Sequence, residues 1–464
     1  MSVLVEASGI VLQDDMSSNP IFSSLFERFT ACIVTVFIFA VSYFLSGYCD
    51  FPKWLQTIGR DSMPFYAMNV IFVGGIRIIL DRAGITNMAL QCICGFAGST
   101  AICWILYECI IKKSKAFIAI DSSDIENIYG FYAEPKNSLD MVMIGPSEVY
   151  TGYAPALAWE EYGLKSCNLS IGAVPCNMYK SIVTEIVKRQ KPKLLVINAS
   201  AFSQGNWNLT DEVYLRKWID NMPMSQNKLD TVKTIPKNIN KDDEKVKDNI
   251  SDTLYFPLEK YHGNWKDPEA VYTSFVTRAY MRLSGGGYLK GFYSKTGITG
   301  GRDNLANIGQ PTKEAYMLTD ECRAYLKELL SYCNKLGIEH VLLLQPPHET
   351  QAADKSGLEQ IESITKEYGY DFLDLSTDYE SIAGIDDSHD FADFEHLNAY
   401  GAKKLTAYIG DMAVNQYGIK SDTAKSELSR WKKSVKRTKK ALKMAREYTD
   451  RGEAQVVGEY EAAK

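Results

Sequence analysis

The stretch MVMIGPSEVYTGYAP, residues 141–155, decides how the chain is organised. Its first part, Met141–Ile144, is apolar and predicts a buried strand. Gly145 and Pro146 interrupt that run, and Ser147 follows the interruption at the start of an amphipathic segment. A strand that turns tightly into a helix lifts one side chain off the end of a sheet and leaves N–H groups free to face an anion. Ser147 therefore has two interpretations, a nucleophile within reach of a base or a serine that caps the helix.

Apolar runs and amphipathic segments continue to alternate downstream of this stretch. The predicted strands are Met141–Ile144, Cys167–Ser170, Lys193–Ile197, His340–Leu344 and Asp371–Leu375. The predicted helices are Pro155–Tyr162, Tyr179–Arg189, Asp320–Leu336, Leu358–Tyr368 and Tyr400–Asn415. This alternation is typical of an α/β fold, here a three-layer αβα arrangement whose mostly parallel sheet is covered on both faces. Ligands of such sheets bind beyond the carboxyl ends of the strands, where Ser147, Gly172 and Asn198 fall.

A second constellation lies far downstream, in the run Asp393-Phe394-Glu395-His396-Leu397-Asn398. An aspartate three residues before a histidine can hold the imidazole Nδ1–H and leave Nε2 free as a base. The pattern alone is weakly specific, but the chain contains only five histidines. One of the others, His348, follows a proline pair at a strand end, so it either lines the site or is an alternative base.

With these residues the chain resembles the SGNH/GDSL hydrolase superfamily. Within it, the chain is most similar to the membrane-tethered group that includes D-alanine transfer and alginate O-acetylation proteins. That group usually reads G-S-S-H or G-D-S at its nucleophile and closes on D-x-x-H-x-N-x-x-G. Here Gly145-Pro146-Ser147-Glu148 stands at the first place, and Asp393, His396, Asn398 and Gly401 stand at the second.

The resemblance covers about residues 138–418 and implies a role for each matching residue. Ser147 would be the nucleophile, His396 the general base and Asp393 its orienting partner. Gly172 and Asn198 match the glycine and asparagine of the family's oxyanion hole, although a turn glycine and a strand-end cap remain their structural alternatives. The departures are Pro146 and Glu148 beside the serine, and Ile197-Asn198-Ala199-Ser200 where the family has G-x-N-D.

Residues 1–115 predict a membrane region with about three transmembrane helices. The candidate spans are Phe29–Leu45, Pro64–Leu80 and Thr86–Ile111, judged against the roughly 20 apolar residues that a span needs. The stretch Ile58–Ile85 faintly resembles the last spans of the integral-membrane acyltransferase-3 family, whose members often carry a C-terminal SGNH domain. The positive-inside rule places the large domain in the cytoplasm, whereas the resemblance implies the outer face, which we favour.

The remaining chain divides by composition. We predict a linker over 116–140, an SGNH-like catalytic domain over 141–420 with an insertion at about 203–318, and a charged helical tail over 421–464. Within the insertion, His262 lies near Tyr261 and Trp265 in either an acceptor-site cluster or a packing cluster. The tail predicts a solvated helix or, alternatively, a surface helix that touches anionic lipid or wall polymer.

Composition excludes several classes of function. A length of 464 residues leaves room for two or three domains, and a net charge of −6 argues against a nucleic-acid surface. The ten cysteines include no C-x-x-C pair, and no Cys/His group has ligand spacing, so we expect free cysteines, no metal and no cofactor.

These observations together favour a membrane-anchored serine esterase or O-acyltransferase. It would act on an acyl ester of a cell-envelope polysaccharide or polymer, with an integral-membrane acyltransferase as a partner implied by the resemblance. The main alternative is a non-catalytic scaffold or binding protein of a cell-envelope acylation assembly that keeps the SGNH fold. A generic lipase, active on long-chain esters without a polymer acceptor, is the third interpretation.

Overall fold

The computed structural model describes residues 72–106, 122–235, 254–255, 268–283 and 287–463, apart from residues 74, 86 and 206. The chain divides into two compact units, Met1–Lys115 and Ala116–Lys464.

In the first unit, helix α1 spans Met88–Leu106, within the predicted span Thr86–Ile111. Over the parts of the chain that the structure describes, no helix combines the length and the apolar character needed to cross a membrane. The predicted span Phe29–Leu45 and the first residues of Pro64–Leu80 and Ile58–Ile85 lie outside the described residues.

The strands of the second unit are short. They are β1 Met141–Gly145, β2 Ser166–Ser170, β3 Leu194–Asn198, β4 Ser294–Lys295, β5 Lys313–Ala315, β6 His340–Gln345, β7 Gln351–Asp354, β8 Asp371–Asp374 and β9 Val456–Val457. Five of them form a central parallel sheet in the order β2-β1-β3-β6-β8. Two small sheets accompany it, the antiparallel pair β4-β9 and the parallel pair β5-β7.

Helices surround this sheet. They are α2 Ser122–Ala133, α3 Ser147–Gly152, α4 Pro155–Tyr162, α5 Tyr179–Arg189, α6 Ser200–Ser203, α7 Glu212–Ile219, α8 Gln226–Thr234, α9 Pro268–Leu283, α10 Arg302–Leu305, α11 Asp320–Leu336, α12 Ser356–Glu367, α13 Tyr379–Ala383, α14 Ala399–Asn415, α15 Lys425–Asp450 and α16 Glu459–Ala463.

Successive residues of the central strands are buried on opposite faces of the sheet. Val142 and Ile144 join a core built with helices α2, α5, α7, α11 and α12. Met141 and Met143 join a second core built with α3, α4, α13 and α14. Strands buried on both faces are usually near-continuous apolar runs, which explains the run Met141–Ile144. The predicted α/β class with a mostly parallel central sheet is therefore confirmed.

Residues 116–140 are not a plain linker. Helix α2 lies within them, and its Ile125, Ile128 and Phe131 are fully buried in the larger core. These apolar residues recur every three positions, which is the spacing of one helix face. The linker prediction is wrong for Ser122–Ala133, because the polar start of this helix hid its periodicity.

The C-terminal tail is also part of the fold. Helix α15 buries Trp431, Ala441 and Ala445, and the Trp431 ring stacks on Trp159 with ring centroids 5.5 Å apart. The interpretation as a solvated helix is wrong for this face. Alanines and hydroxyl residues form much of the buried stripe, so the sequence showed only a thin line of large apolar side chains.

Candidate active site

The turn between β1 and α3 holds Ser147 at the end of the sheet. Pro146 is the N-cap residue with φ −78°, which lies within the range that the proline ring allows, and Ser147 is the first helical residue. A Cβ on Gly145 would lie 2.4 Å from Asn198 Cβ and 2.7 Å from Val149 Cγ2, so only glycine fits there. Ser147 therefore does not cap the helix, and its hydroxyl is available for another partner.

The partner of that hydroxyl is a histidine. Ser147 Oγ lies 2.7 Å from His396 Nε2, and His396 Nδ1 lies 2.8 Å from Asp393 Oδ1. Asp393 Oδ1 also accepts the backbone N–H groups of Glu395 and His396, at 3.1 and 2.9 Å, so the carboxylate folds back over its own loop. In this arrangement Nδ1–H donates to Asp393, and Nε2 accepts the serine hydroxyl.

Asp393 stays ionised in this position. Burial raises the pKa of its carboxyl, but hydrogen bonds and charges from His396 and Lys295 outweigh burial and hold the pKa well below its ordinary value. A carboxylate that remains charged can orient the imidazole and stabilise the imidazolium that forms when the serine loses its proton.

The residues that follow His396 fix its loop. Asn398 caps α14 by accepting the N–H groups of Tyr400 and Gly401 at 2.9 and 3.3 Å. Its amide nitrogen donates to the carbonyls of Gly297 and His389 at 3.0 and 2.7 Å. A Cβ on Gly401 would lie 2.5 Å from the Asp390 carbonyl oxygen. Asn398 and Gly401 of the closing motif therefore position the loop that presents His396.

Of the two residues expected at an oxyanion hole, one has a donor group available and the other does not. Asn198 is buried at the end of β3 against Gly145, and its Oδ1 accepts the Ser200 N–H at 2.7 Å. That bond leaves the amide NH₂ as the donor end of the Asn198 side chain. Gly172 N–H, in contrast, donates to Asp124 Oδ1 at 2.7 Å and is already engaged.

His348 lies between two carboxylates and is fully buried. Its Nδ1 is 2.7 Å from Glu314 Oε2, and its Nε2 is 3.7 Å from Glu148 Oε1. Burial lowers the pKa of His348, but Glu148 and Glu314 outweigh burial and raise it to about 10. Burial likewise raises the pKa of Glu148, while the same ion pair lowers it below its ordinary value. With both nitrogens facing carboxylates, His348 is placed as a buried cation rather than as a base for Ser147.

Two further side chains reach the triad. Lys295 Nζ forms an ion pair with Asp393 Oδ2 and lies 3.2 Å from His396 Nδ1. Glu395 Oε1 lies 3.7 Å from the same nitrogen, and burial raises the pKa of Glu395. Sequence reasoning missed Lys295, because its strand β4 has only two residues and shows no periodicity. It also gave Glu395 no role, although Glu395 stands between Asp393 and His396.

One sequence-predicted cluster cannot be placed. His262, Tyr261 and Trp265 lie outside the described residues. Within the described ranges, no group of three or more His, Cys, Asp or Glu side chains is arranged to hold a metal ion.

The chain was also compared with known proteins. No protein-family model matches it, and no curated protein matches it either. The assignment of a function therefore depends on the residues and geometry described above.

Proposed function

We propose that this chain is an acyl-transferring serine enzyme of the SGNH type that works through a Ser147–His396–Asp393 triad. The observation that supports the proposal is the unbroken hydrogen-bonded chain, with Oγ–Nε2 at 2.7 Å and Nδ1–Oδ1 at 2.8 Å. A nucleophile, a base and a group that orients the base are the three parts that nucleophilic catalysis at an ester requires.

The proposed reaction runs in two steps. Ser147 Oγ attacks the ester carbonyl carbon while His396 Nε2 takes the hydroxyl proton, and the imidazolium then protonates the departing alcohol oxygen. The resulting acyl-serine is attacked by water or by an acceptor hydroxyl, again with His396 as base, and Ser147 is released. Asn198 would donate a hydrogen bond to the oxyanion in both steps, together with the Ser147 N–H at the first turn of α3.

The finer fold assignment belongs to the same proposal. A five-stranded parallel sheet with Ser147 after β1, Asn198 at the end of β3 and His396 just before α14 supports a three-layer αβα domain of the SGNH-hydrolase kind. The departures from the family motif are compatible with this assignment. Pro146 fits the backbone of the turn, and Glu148 is buried against His348.

The substrate and the location follow from the resemblance. We propose an acyl-ester donor and a hydroxyl acceptor on a cell-envelope polysaccharide or polymer, a membrane anchor in residues 1–115, and a catalytic domain on the outer face with an integral-membrane acyltransferase as partner. Ser147 is partly exposed, which supports an acceptor that approaches from outside the domain.

One observation favours the non-catalytic scaffold as the second candidate. The Gly172 N–H donates to Asp124 and is therefore not free to bind an oxyanion in this arrangement. An SGNH fold that has lost one oxyanion donor would keep a binding surface but catalyse acyl transfer more slowly.

An activated-serine probe distinguishes the two candidates. The full-length chain is treated with a fluorophosphonate, and the modified residue is located by mass spectrometry. We expect labelling of Ser147 in the wild type, no labelling of that position in Ser147→Ala, and strongly slowed labelling in His396→Ala. Ser381→Ala, which removes an exposed hydroxyl in α13, is the matched control and should label like the wild type. A folded wild type that leaves Ser147 unlabelled would support the scaffold.

A further inference from the structure

Lys295 contacts the carboxylate oxygen of Asp393 that does not bond to the His396 ring. Asp393 Oδ1 accepts His396 Nδ1–H at 2.8 Å, and Asp393 Oδ2 pairs with Lys295 Nζ. Lys295 Nζ also lies 3.2 Å from His396 Nδ1. Because the Nδ1 hydrogen is committed to Asp393, the ammonium group cannot donate to the same nitrogen, and its hydrogen bond goes to Oδ2. Lys295 therefore adds a fixed cation to the back of the triad.

The C-terminal segment holds Lys295 in this place. Lys295 of β4 pairs with Val456 of β9 in the antiparallel sheet. Thr296, the next residue, donates its hydroxyl to the Glu453 carbonyl at 2.7 Å and its N–H to the Gln455 carbonyl at 3.1 Å. The residue after Thr296 continues these contacts, since the Gly297 N–H donates to Thr449 Oγ1 at 3.1 Å.

The end of the chain is itself anchored by buried polar contacts. Glu459 Oε2 accepts the Leu289 N–H at 2.7 Å, and the Glu459 N–H donates to Glu126 Oε2 at 3.0 Å. Both carboxylates are almost fully buried. These contacts fix the segment from α15 to α16 against the catalytic unit, so β9 has a defined position from which to hold β4.

We infer that Lys295 is a positioning residue of the proposed triad, and that residues 449–457 at the C-terminus complete the active site by holding Lys295 on Asp393. This inference rests on the proposed function and extends it, since neither Lys295 nor the C-terminal segment belongs to the motifs around Ser147 and His396. The C-terminal helix and strand thereby become part of the catalytic apparatus rather than an appendage.

The Lys295 charge has a predictable effect on the protonation of His396. A cation 3.2 Å from Nδ1 disfavours the imidazolium form of His396, and it also neutralises part of the Asp393 charge that favours that form. Removing the cation therefore moves the titration midpoint of His396 to higher pH. Because His396 must be neutral to accept the serine proton, the acid limb of the kcat/KM profile moves in the same direction.

Other charges face the same two residues. They are Glu395 beside the His396 imidazole, Glu148, which interacts with His396 and pairs with His348, and Glu349 near Asp393. Three of these four groups are carboxylates, which favour the imidazolium when ionised, and they stay in place when Lys295 is replaced. The carboxylates act in the same direction as the loss of Lys295, and the His348 cation acts against them. Because the substitution changes none of the four groups, the expected sign is kept.

The test compares Lys295→Met, Lys295→Arg and Thr296→Val in the full-length chain. The ring Cε1 of each histidine is labelled with ¹³C, and its chemical shift is followed against pH. We expect the His396 midpoint to rise by about one pH unit in Lys295→Met, to remain near wild type in Lys295→Arg, and to rise by less in Thr296→Val. Where turnover is measurable, kcat/KM on the acid limb should fall about ten-fold in Lys295→Met.

Lys355→Met is the matched control. Lys355 pairs with Asp374 at 3.0 Å, and its side chain is 34% exposed against 29% for Lys295. The control should leave the His396 midpoint unchanged. An unchanged midpoint in Lys295→Met would overturn the inference, and an unchanged midpoint in Thr296→Val would overturn the role of the C-terminal segment. A wild type without turnover would refute the proposed function, while the titration would still decide the role of Lys295.

Discussion

Ser147 Oγ and His396 Nε2 lie 2.7 Å apart although 249 residues separate them in the chain. Ser147 follows the first strand of the sheet, and His396 precedes the helix that closes the second core. The contact is made at the edge of the sheet where the carboxyl ends of the parallel strands meet. This contact and the groups that surround it determine how the activity and the stability of the chain should respond to substitution.

Asp393→Asn tests the orientation of the base. An amide accepts the Nδ1–H less well and can hold the wrong tautomer of His396, so kcat should fall by about 10⁴-fold. The measurement is ester hydrolysis at a pH above the acid limb, with circular dichroism to show that the fold is kept. Asp371→Asn, at an exposed carboxylate that contacts only Tyr417 OH at 2.9 Å among the described residues, is the control. A folded Asp393→Asn within ten-fold of wild type would show that Asp393 does not orient the base.

Asn198→Ala tests the oxyanion donor. Removing one such donor typically lowers kcat by about 100- to 1000-fold, with a smaller effect on KM. Asn415→Ala removes an exposed amide of α14 that bonds to Asp411 at 2.7 Å, and it should behave like the wild type. Equal rates for the two variants would remove Asn198 from the proposed mechanism.

His348→Gln tests the buried ion pair beneath the nucleophile. The substitution leaves the buried Glu148 and the partly buried Glu314 without their shared cation, which should lower the free energy of unfolding by about 3–5 kcal/mol. Glu148→Gln combined with His348→Gln removes one of those charges and should recover part of the loss. The measurement is urea denaturation at neutral pH, with His340→Gln, at a partly exposed histidine, as the control. A loss no larger than that of His340→Gln would show that the pair does not stabilise the fold.

The same residue gives a dependence of stability on pH. The folded protein raises the pKa of His348 from 6.5 to about 10. A base with a raised folded-state pKa contributes stability that is complete below its unfolded pKa and is lost as the pH rises through its folded pKa. The free energy of unfolding should therefore fall between about pH 6.5 and pH 10 more steeply in wild type than in His348→Gln. Parallel profiles for the two proteins would contradict the assignment of a buried imidazolium.

Trp431→Ala tests whether the tail belongs to the fold. Trp431 is buried, stacks on Trp159, and lies under Lys290 Nζ, which is 4.5 Å from its ring centroid. Its truncation should cost about 3–5 kcal/mol of unfolding free energy. Lys432→Ala, the exposed neighbour on the same helix, should change stability by less than about 0.5 kcal/mol. A Trp431→Ala protein as stable as Lys432→Ala would show that the tail is a solvated helix that does not stabilise the fold.

Several helices that surround the sheet could be predicted from local sequence. The bounds of Pro155–Tyr162, Tyr179–Arg189 and Asp320–Leu336 agree with the structure. Two of these helices end at glycines in the left-handed conformation, Gly163 and Gly337, and such a stop signal is visible in the sequence.

The parts that the sequence did not show depend on contacts between distant segments. Lys295 reaches Asp393 from β4, which pairs with β9 at the end of the chain and forms a bridge to Asn398, and no local pattern encodes those pairings. Glu314 meets His348 through the short β5-β7 sheet for the same reason. The candidate triad itself was predictable because Asp393 and His396 stand in one short motif and Ser147 stands at a strand end.

The measurement that tests the central claim most directly is hydrolysis of p-nitrophenyl acetate by the full-length chain, with Ser147→Ala and His396→Ala assayed beside it. A triad predicts turnover by the wild type and a loss of about 10³-fold or more in both variants, because Ser147→Ala removes the nucleophile and His396→Ala leaves it without a base. Turnover that persists in a folded Ser147→Ala protein, or a folded wild type at the rate of buffer alone, would contradict it.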